Sequence, residues 1–223
     1  METDENFNAG YGSVLNVRGE VEMDASIMRG EDLNAGAVTM VKEFKHPVSI
    51  ARKVLTDSPH TFLGGEGAKL FAIEKVGVGT VGAVALDSNG HVAAATSTGG
   101  MYGKAVGRIA DTSQIGCGTY ADDYIGAVSC TGHGETINKY CGAHSIIKLM
   151  ENGFDAYKAT VNAVNGMTSR LKNGAGAITL SKDGEVGVYF NTKTMPWAYV
   201  RHNKIFYGVV SRQITEENYT ISR

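Results

Sequence analysis

The sequence predicts an α+β fold in which helices lie outside two stacked antiparallel sheets, a four-layer αββα sandwich. A hairpin pattern spans residues 81–98, two amphipathic helical patterns follow within residues 136–171, and further strand patterns come after them. The glycines, 29 of 223 residues, are scattered through apolar segments, which is typical of tight turns in a packed domain and not of a linker.

The chain ahead of the hairpin is predicted to form loops, short strands and two helices. Glycines interrupt residues 1–40 repeatedly, which favours loops and short strands there. Pro47 is well placed to begin a helix that ends near Ser58-Pro59, and the apolar face of this helix would consist of Val48, Ala51 and Leu55. Residues 64–72 favour a second, shorter helix.

The hairpin is defined by a turn between two apolar runs. Residues 81–86 are apolar and partly β-branched, and residues 91–98 return as a second strand. The four residues between them, Asp87 to Gly90, end in Asn-Gly, which favours a tight turn. We therefore expect the two strands to pair directly.

The remaining chain is predicted to contain two helices between strands. The predicted elements are a strand at residues 125–130, helices at 136–151 and about 155–171, strands at 177–180 and 186–190 around a turn at 182–184, and a strand at 205–210. The last of these strands is expected to close a sheet.

Composition argues against two classes of partner. With a formal net charge of −2 and a pI of about 6.3, the chain offers no electrostatic footprint for nucleic acid or anionic membranes. No apolar run approaches the ~18 residues of a membrane span, and the acidic start does not resemble a secretory signal, so we expect a cytoplasmic location. The three cysteines, Cys117, Cys130 and Cys141, lack metal-ligand spacing and are expected to be reduced and buried.

Four short stretches carry chemically useful residues. Gly79-Thr80 precedes the first hairpin strand, and alone it would indicate no more than a loop that ends in a hydroxyl residue. The others are Thr-Ser-Thr-Gly-Gly at residues 96–100, Gly-Arg-Ile-Ala-Asp at 107–111 and Ser-Cys-Thr-Gly-His-Gly-Glu at 129–135. Their combination is informative, whereas each one alone is not.

Together these stretches resemble the plant-type asparaginase/isoaspartyl peptidase family, in its human-like branch. The likeness extends over nearly all 223 residues, and further stretches that carry it are residues 7–10, 12–16, 21–28, 35–38 and 195–198. The resemblance implies an N-terminal-nucleophile hydrolase that cleaves itself between Gly79 and Thr80. It divides the single domain into an α-subunit-like segment, 1–79, and a β-subunit-like segment, 80–223, and it implies a homodimer of such two-piece protomers.

The resemblance makes Thr80 the nucleophile, and its chemistry explains why cleavage must come first. A threonine hydroxyl is weakly reactive until a base removes its proton. An α-amine with a pKa of about 7.7–8.0 can do so, whereas an amide nitrogen cannot. The Gly79–Thr80 peptide must therefore break before Thr80 acquires its own base. Gly79 leaves the attacked carbonyl unhindered and tolerates a strained backbone.

The resemblance also implies which residues surround the nucleophile. Thr98 resembles the residue that holds the nucleophile's hydroxyl and amine in place, with an ordinary cross-strand threonine as the alternative. Thr131 and Gly132 resemble the oxyanion site, since a side-chain hydroxyl and a backbone N–H can both donate to a tetrahedral oxyanion. Gly134 permits a ligand to approach the backbone closely, and Asn8 adds a polar contact.

Arg108 and Asp111 resemble the family's substrate anchors. A guanidinium matches an α-carboxylate bidentately, and a carboxylate matches an α-ammonium group, so the pair suits the free end of an asparaginyl or aspartyl substrate. The alternative is a surface ion pair between two opposite charges three residues apart. His133 is interpreted as a packing or supporting residue, because the α-amine already serves as the base.

The chain departs from the family's pattern in three places. It begins just ahead of residues 8–10, without the family's opening strand and helix, so we expect an N-terminally truncated member. Met1 to Gly12 corresponds to the loop whose backbone carbonyls hold a sodium ion in the family, so a structural sodium ion is expected there and no cofactor is required. The segment before Gly79 is shorter than the family's linker, and Ala110 stands where the family favours glycine.

Three functional hypotheses follow. The first is a hydrolase that converts L-asparagine to L-aspartate and ammonia and cleaves β-aspartyl dipeptides. The second is a truncated, unprocessed and largely inactive relative that retains the site as a structural or binding remnant. The third is a glycosylasparaginase or a threonine protease of the taspase kind, against which the lack of a signal peptide, disulfide pattern and long insertions argues. The preference between asparagine and isoaspartyl peptides stays open, because both present the same β-carbonyl and α-anchors.

Overall fold

The computed structural model describes residues 2–75 and 81–219. The predicted cleavage site, Gly79-Thr80, lies outside the described residues, as do Met1 and residues 220–223. In the part of the chain that the structure describes, no helix is long and apolar enough to cross a membrane.

Among the described residues before residue 100, the structure has five strands and two α-helices. In chain order they are β1 (Met23–Arg29), β2 (Ala35–Val41), α1 (Pro47–Asp57), β3 (Phe62–Gly64), α2 (Gly65–Lys75), β4 (Gly82–Leu86) and β5 (Val92–Thr98). The strands form one sheet in the order β3-β2-β1-β5-β4. Its pairings are antiparallel except for β2 with β3, which run parallel because helix α1 connects them as a crossover. The prediction of purely antiparallel sheets is therefore wrong at this edge.

From residue 101 to residue 219, the last one described, the chain forms two further sheets and three α-helices. The elements are β6 (Thr119–Asp122), β7 (Gly126–Gly132), α3 (Gly134–Tyr140), α4 (Gly142–Glu151), α5 (Ala156–Leu171), β8 (Ala175–Ser181), β9 (Val186–Phe190), β10 (Trp197–Arg201), β11 (Lys204–Gly208) and β12 (Thr215–Asn218). Strands β6-β7-β8-β9 form an antiparallel sheet, and β10-β11-β12 form a separate small one. Short 3-10 helices occur at Gly10–Gly12 and Asp111–Ser113.

The predicted hairpin is confirmed. Gly82 lies opposite Thr96 and Leu86 lies opposite Val92 in the antiparallel pair of β4 and β5. The Asp87 carboxylate closes the turn by accepting hydrogen bonds from the backbone N–H groups two and four residues later, at 2.8 and 2.9 Å. Gly90 has φ +88°, a conformation that glycine adopts without a steric penalty.

The predicted strand at residues 205–210 corresponds to β11, but it does not close a larger sheet. Its partners β10 and β12 are its neighbours along the chain, and the turn between β10 and β11 has positive φ at both His202 and Asn203. Two such residues in a two-residue loop match the twist of a tight hairpin. This local pairing is the reason the strand belongs to a small sheet of its own.

Helix α1 begins at Pro47 as predicted, but its buried face differs from the predicted one. The buried side chains are Pro47, Ile50, Ala51, Val54 and Leu55, whereas Val48 is only half-buried. The helix packs on β1 and β2, and Val38, Val41 and Ala68 of β2 and α2 join the same apolar cluster. Burial of this cluster fixes the helix to the sheet.

The predicted helix at residues 136–151 is divided into α3 and α4 at Cys141. This residue is left-handed, with φ +50°, and its N–H bonds back to the carbonyls of Ile137 and Asn138. A left-handed residue ends a helix in this way by satisfying its last carbonyls. This position usually carries glycine or asparagine, so a cysteine there does not predict the end of a helix.

Buried contacts between the two larger sheets position the site. Strand β5 packs against β6 and β7, while α4 and α5 pack against β7, β8 and β9. A chain of buried hydroxyl groups also crosses between the sheets, from Ser26 through Thr119 and Thr96 to Ser129, at 2.5 to 2.9 Å. The packing of helices on these sheets confirms the predicted α+β class.

Helix α1 approaches β2 so closely that Gly36 admits no side chain. A Cβ atom there would lie 2.0 Å from the Ala51 carbonyl oxygen and 2.5 Å from the Leu55 nitrogen. We expect Gly36→Ala to lower the free energy of unfolding by about 1–3 kcal/mol, as overpacking does. Gly67→Ala in α2 is the control, because a Cβ atom there meets nothing within 4 Å and should be neutral or stabilising. Equal denaturation midpoints for the two variants would contradict this account.

Candidate active site

The turn after β5 is held by three polar side chains. Thr98 is the last residue of β5, and its hydroxyl accepts a hydrogen bond from the Gly100 N–H at 2.9 Å. Asn8 donates through Nδ2 to the Gly100 carbonyl at 2.5 Å, and its own carbonyl accepts from the Gly99 N–H at 3.0 Å. Buried Lys104 donates to the Gly99 carbonyl at 2.8 Å, and burial lowers its pKa. The structure thus brings Asn8 and Thr98 together.

The predicted nucleophile, Thr80, lies outside the described residues, but the residue that follows it is well placed. Val81 accepts a hydrogen bond from the Ser97 N–H at 2.6 Å, in continuation of the pairing between Gly82 and Thr96. Ser97 directly precedes Thr98. The start of the segment that follows Thr80 therefore lies beside the end of β5.

Arg108 forms an ion pair with a residue that the sequence did not assign to the site. Its guanidinium donates through Nε and Nη2 to the two carboxylate oxygens of Glu135, at 2.8 and 2.9 Å. These hydrogen bonds hold the pKa of Glu135 below its usual value. The Nη1 group faces the turn after β5, since a Cβ atom on Gly100 would lie 3.1 Å from it. The alternative of an ion pair between Arg108 and Asp111 does not hold, because Glu135 is the partner.

Asp111 is a buried carboxylate with an unpartnered oxygen. The residue is 6% exposed, and its Oδ2 atom makes no hydrogen bond within residues 2–75 and 81–219. Burial raises its pKa to about 7, although the charge of Arg108 acts in the opposite direction. Both side chains flank Gly134, where a Cβ atom would lie 2.5 Å from Nη2 of Arg108 and 2.8 Å from Oδ1 of Asp111. Glycine at this position is what allows the two groups to meet.

Asp24 fixes the backbone between these two side chains. It is buried on β1, and its Oδ2 atom accepts a hydrogen bond from the Ala110 N–H at 3.0 Å. The other oxygen, Oδ1, accepts from the Thr39 hydroxyl. Burial raises the pKa of Asp24 despite these bonds. The segment that carries both predicted anchors is therefore tied to the centre of the five-stranded sheet.

Thr131 and Gly132 end strand β7 and are exposed to solvent. Gly132 has φ +128°, and a Cβ atom there would lie 2.7 Å from Cα of Ala175, so the close pairing with β8 requires glycine. His133 accepts or donates a hydrogen bond through Nδ1 to the Thr136 hydroxyl at 2.8 Å, within the first turn of α3. This contact agrees with the interpretation of His133 as a supporting residue.

The N-terminal loop brings backbone carbonyls close to Gly12. A Cβ atom on Gly12 would lie 2.2 Å from the Phe7 carbonyl oxygen and 2.8 Å from that of Glu5, so the loop packs closely around this glycine. Carbonyl oxygens suit hard cations. No group of three or more His, Cys, Asp or Glu side chains that could hold a metal occurs among the described residues.

Comparison with known proteins places the chain among asparaginases. A family model described as asparaginase matches residues 1–76 and 73–209. The isoaspartyl peptidase/L-asparaginase of Mus musculus is 43% identical over 244 residues, covering 94% of this chain and 74% of the relative. The Homo sapiens protein of the same name is 42% identical over 243 residues, covering 94% and 79%. A probable isoaspartyl peptidase/L-asparaginase of Drosophila melanogaster is 39% identical over 272 residues, covering 100% and 82%.

Proposed function

The chain belongs to the asparaginase family, and we propose that it is a threonine-nucleophile hydrolase acting on L-asparagine and β-aspartyl dipeptides. Relatives at 39–43% identity over most of the chain carry the name isoaspartyl peptidase/L-asparaginase. We further propose that the helices and the two facing sheets form the four-layer αββα sandwich of N-terminal-nucleophile hydrolases. The contacts of α1 with β1 and β2, of β5 with β6 and β7, and of α5 with β8 and β9 support it.

The observation that carries this function is the buried Oδ2 atom of Asp111, which has no hydrogen-bond partner among the described residues, beside the guanidinium of Arg108. A buried carboxylate oxygen without a hydrogen bond is costly, and an arriving ammonium group would satisfy it. Arg108 still has Nη1 for the substrate's α-carboxylate, since its bonds to Glu135 use Nε and Nη2. The two groups thus match the charged end that L-asparagine shares with β-aspartyl peptides.

The reaction would proceed in two steps at the substrate's β-carbonyl. The free α-amine of Thr80 takes the hydroxyl proton, and the hydroxyl oxygen attacks the carbonyl carbon. The Thr131 hydroxyl and the Gly132 N–H donate to the oxyanion that develops. Ammonia, or the amine of the next residue, then leaves with a proton. Water attacks the resulting ester, and aspartate is released while Thr80 regains its hydroxyl proton.

Thr98 would hold the nucleophile in this arrangement, with two further polar residues fixing the turn that follows it. Thr98 ends β5 beside Ser97, which bonds to the residue after Thr80, so its hydroxyl is suited to orient the nucleophile. Asn8 and Lys104 fix the backbone of the turn that follows Thr98. The threonine at the end of β5 can therefore keep its position while charge develops nearby.

Maturation by cleavage at Gly79–Thr80 is part of this proposal. The family model matches in two parts that meet at residues 73–76, and the fly relative aligns 272 residues with the 223 of this chain. Both facts support a linker shorter than that of its relatives. If the chain stays uncleaved and inactive, it is instead the unprocessed, largely inactive relative, an outcome that a short linker favours.

We also propose a sodium ion on the carbonyls of the Met1–Gly12 loop, a homodimer and a cytoplasmic location.

The pH dependence of substrate binding tests the proposed role of Asp111. Because its pKa is about 7, Asp111 should lose its charge below neutral pH, and KM for L-asparagine should rise about tenfold for each pH unit below that value. The bound ammonium group keeps Asp111 ionised in the complex, so kcat should instead follow the Thr80 α-amine. Steady-state kinetics from about pH 5 to 8.5 separate the two parameters. A KM that is flat across this range would contradict the assignment.

A further inference from the structure

Two of the three cysteines lie side by side, although they are 24 residues apart in the chain. The Sγ atoms of Cys117 and Cys141 each lie 3.8 Å from the same acceptor, the carbonyl oxygen of Asn138. The neighbouring Cys141 thiol also contributes to the raised pKa of Cys117. Both are free thiols in the structure. The third, Cys130, lies in the apolar cluster beneath α3 and α4.

Backbone hydrogen bonds hold this pair in place. The Ala143 N–H donates to the Cys117 carbonyl at 2.8 Å, and the His144 N–H donates to the Gly116 carbonyl at 2.9 Å. The turn that contains Cys117 is therefore docked on the start of α4, directly after Cys141. A disulfide needs Cβ atoms about 3.5–4.5 Å apart, and two thiols that contact one carbonyl oxygen lie in the same neighbourhood from which a disulfide can form.

The three thiols differ in access and acidity. Cys141 is exposed, Cys117 is half-buried and Cys130 is buried, so the expectation that all three are buried is confirmed only for Cys130. Its place at the left-handed junction between α3 and α4 turns it to solvent. Burial, and then the neighbouring Cys141, raises the pKa of Cys117 to about 11, and burial also raises that of Cys130. Cys141 is thus the thiol that a dissolved oxidant meets first.

We propose that Cys117 and Cys141 form a reversible disulfide, a redox modification site built into this chain. A small-molecule disulfide such as oxidised glutathione serves as the oxidant. The Cys141 thiolate attacks one of its sulfurs, forming a mixed disulfide and expelling one glutathione thiolate. The Cys117 thiolate then attacks the Cys141 sulfur and expels the second. The protein loses two protons and two electrons, and one oxidised glutathione becomes two reduced molecules.

The bond would link two segments that support the predicted substrate anchors. Cys117 lies in the turn whose Gly118 N–H donates to the Asp111 carbonyl at 3.1 Å. Cys141 ends α3, the helix whose first residue, Gly134, lies against Arg108 and Asp111. Oxidation would therefore join these two segments covalently. In the unfolded state the crosslink would restrict the conformational freedom of the chain, which stabilises the folded state.

The full chain, treated with oxidised glutathione at pH values of about 7 and 8.5, tests the proposal. We expect a product lighter than the reduced protein by two hydrogen atoms, a peptide map joining Cys117 to Cys141, and reversal by dithiothreitol. Formation should be faster at the higher pH, because closure needs the Cys117 thiolate. The melting temperature should rise by about 5–10 °C on oxidation.

Variants distinguish this bond from other products. Cys141→Ser should abolish the crosslink and its stabilisation, whereas Cys130→Ala should form it as the wild type does. Cys117→Ala should accumulate a stable glutathione adduct on Cys141, since the second thiol is missing. A lasting glutathione adduct on the wild type, a crosslink that includes Cys130, or no change of mass would each overturn the proposal. These readouts do not depend on asparaginase activity.

Discussion

Replacing Asp111 with asparagine is expected to lower kcat/KM for L-asparagine by about 100- to 1,000-fold, because the substrate's ammonium group loses a buried charged partner. Most of the loss should occur in KM. The carboxylate is buried, and one of its oxygens makes no hydrogen bond in the described part of the chain. An amide of the same shape fits the same space but carries no charge. Ammonia release at varied substrate concentration measures both parameters.

The same substitution should not destabilise the protein, and this separates a binding role from a structural one. The pKa of Asp111 is about 7 in the folded state against an ordinary 3.8, so between these values the folded state binds more protons than the unfolded state. The contribution of Asp111 to the free energy of unfolding therefore falls as pH rises from about 4 to 7. Asp111→Asn removes this decline, so near neutral pH the variant should be at least as stable as the wild type.

A control carboxylate is available for this comparison. Asp183 lies in the turn between β8 and β9 and is exposed, so Asp183→Asn should leave kcat/KM and the pH dependence of stability unchanged. Normal KM in Asp111→Asn would show that the ammonium group binds elsewhere. A large loss of stability with normal turnover would show that Asp111 serves the fold.

The sequence predicted the elements whose signals are local. The Asn-Gly turn and the two apolar runs around it were sufficient to place β4 and β5, and Pro47 marked the start of α1. Pairing depends on distant partners, so the membership of β11 in a small separate sheet could not be read from its own residues. The helix break at Cys141 lacked the usual glycine signal. Strand β6 was missed because four residues carry too short a pattern.

The sequence predicted the motifs that carry the site residues, but not the residues that hold them in position. Arg108 and Asp111 lie against the same glycine, as two anchors of one substrate should, although their roles stay a prediction. Glu135 stands in a stretch that carries the family resemblance, yet nothing in the sequence indicated that it pairs with Arg108. Asp24 holds the Ala110 backbone across 86 residues of chain, a contact that only the folded structure brings about. Residues that act through such long-range contacts have no local sequence pattern that identifies them.

Cleavage at Gly79–Thr80 should leave the two pieces associated, because they share one sheet. The segment before the bond supplies β1, β2 and β3, and the segment after it supplies β4 and β5. Strands β1 and β5 pair from Asp24 with Thr98 to Arg29 with Ala93, so the two pieces meet strand to strand near the centre of the sheet. Backbone hydrogen bonds, and an apolar cluster in which Met28 and Ala35 of the first piece pack with Val92 and Ala94 of the second, hold this pairing without a covalent link.

Thr80→Ala should abolish both cleavage and activity, with kcat for L-asparagine reduced by at least about 1,000-fold. Alanine removes the hydroxyl that attacks the preceding carbonyl during maturation and the β-carbonyl during turnover. Incubation of the wild type at neutral pH, followed by mass spectrometry and N-terminal sequencing, should reveal pieces 1–79 and 80–223 and a new terminus that begins Thr-Val-Gly-Ala. Thr80→Ser is the matched control, because it keeps a hydroxyl and should still cleave, though more slowly. A wild-type chain that stays whole for days and nevertheless hydrolyses asparagine normally would refute the mechanism, since an uncleaved Thr80 has no amine to activate its hydroxyl.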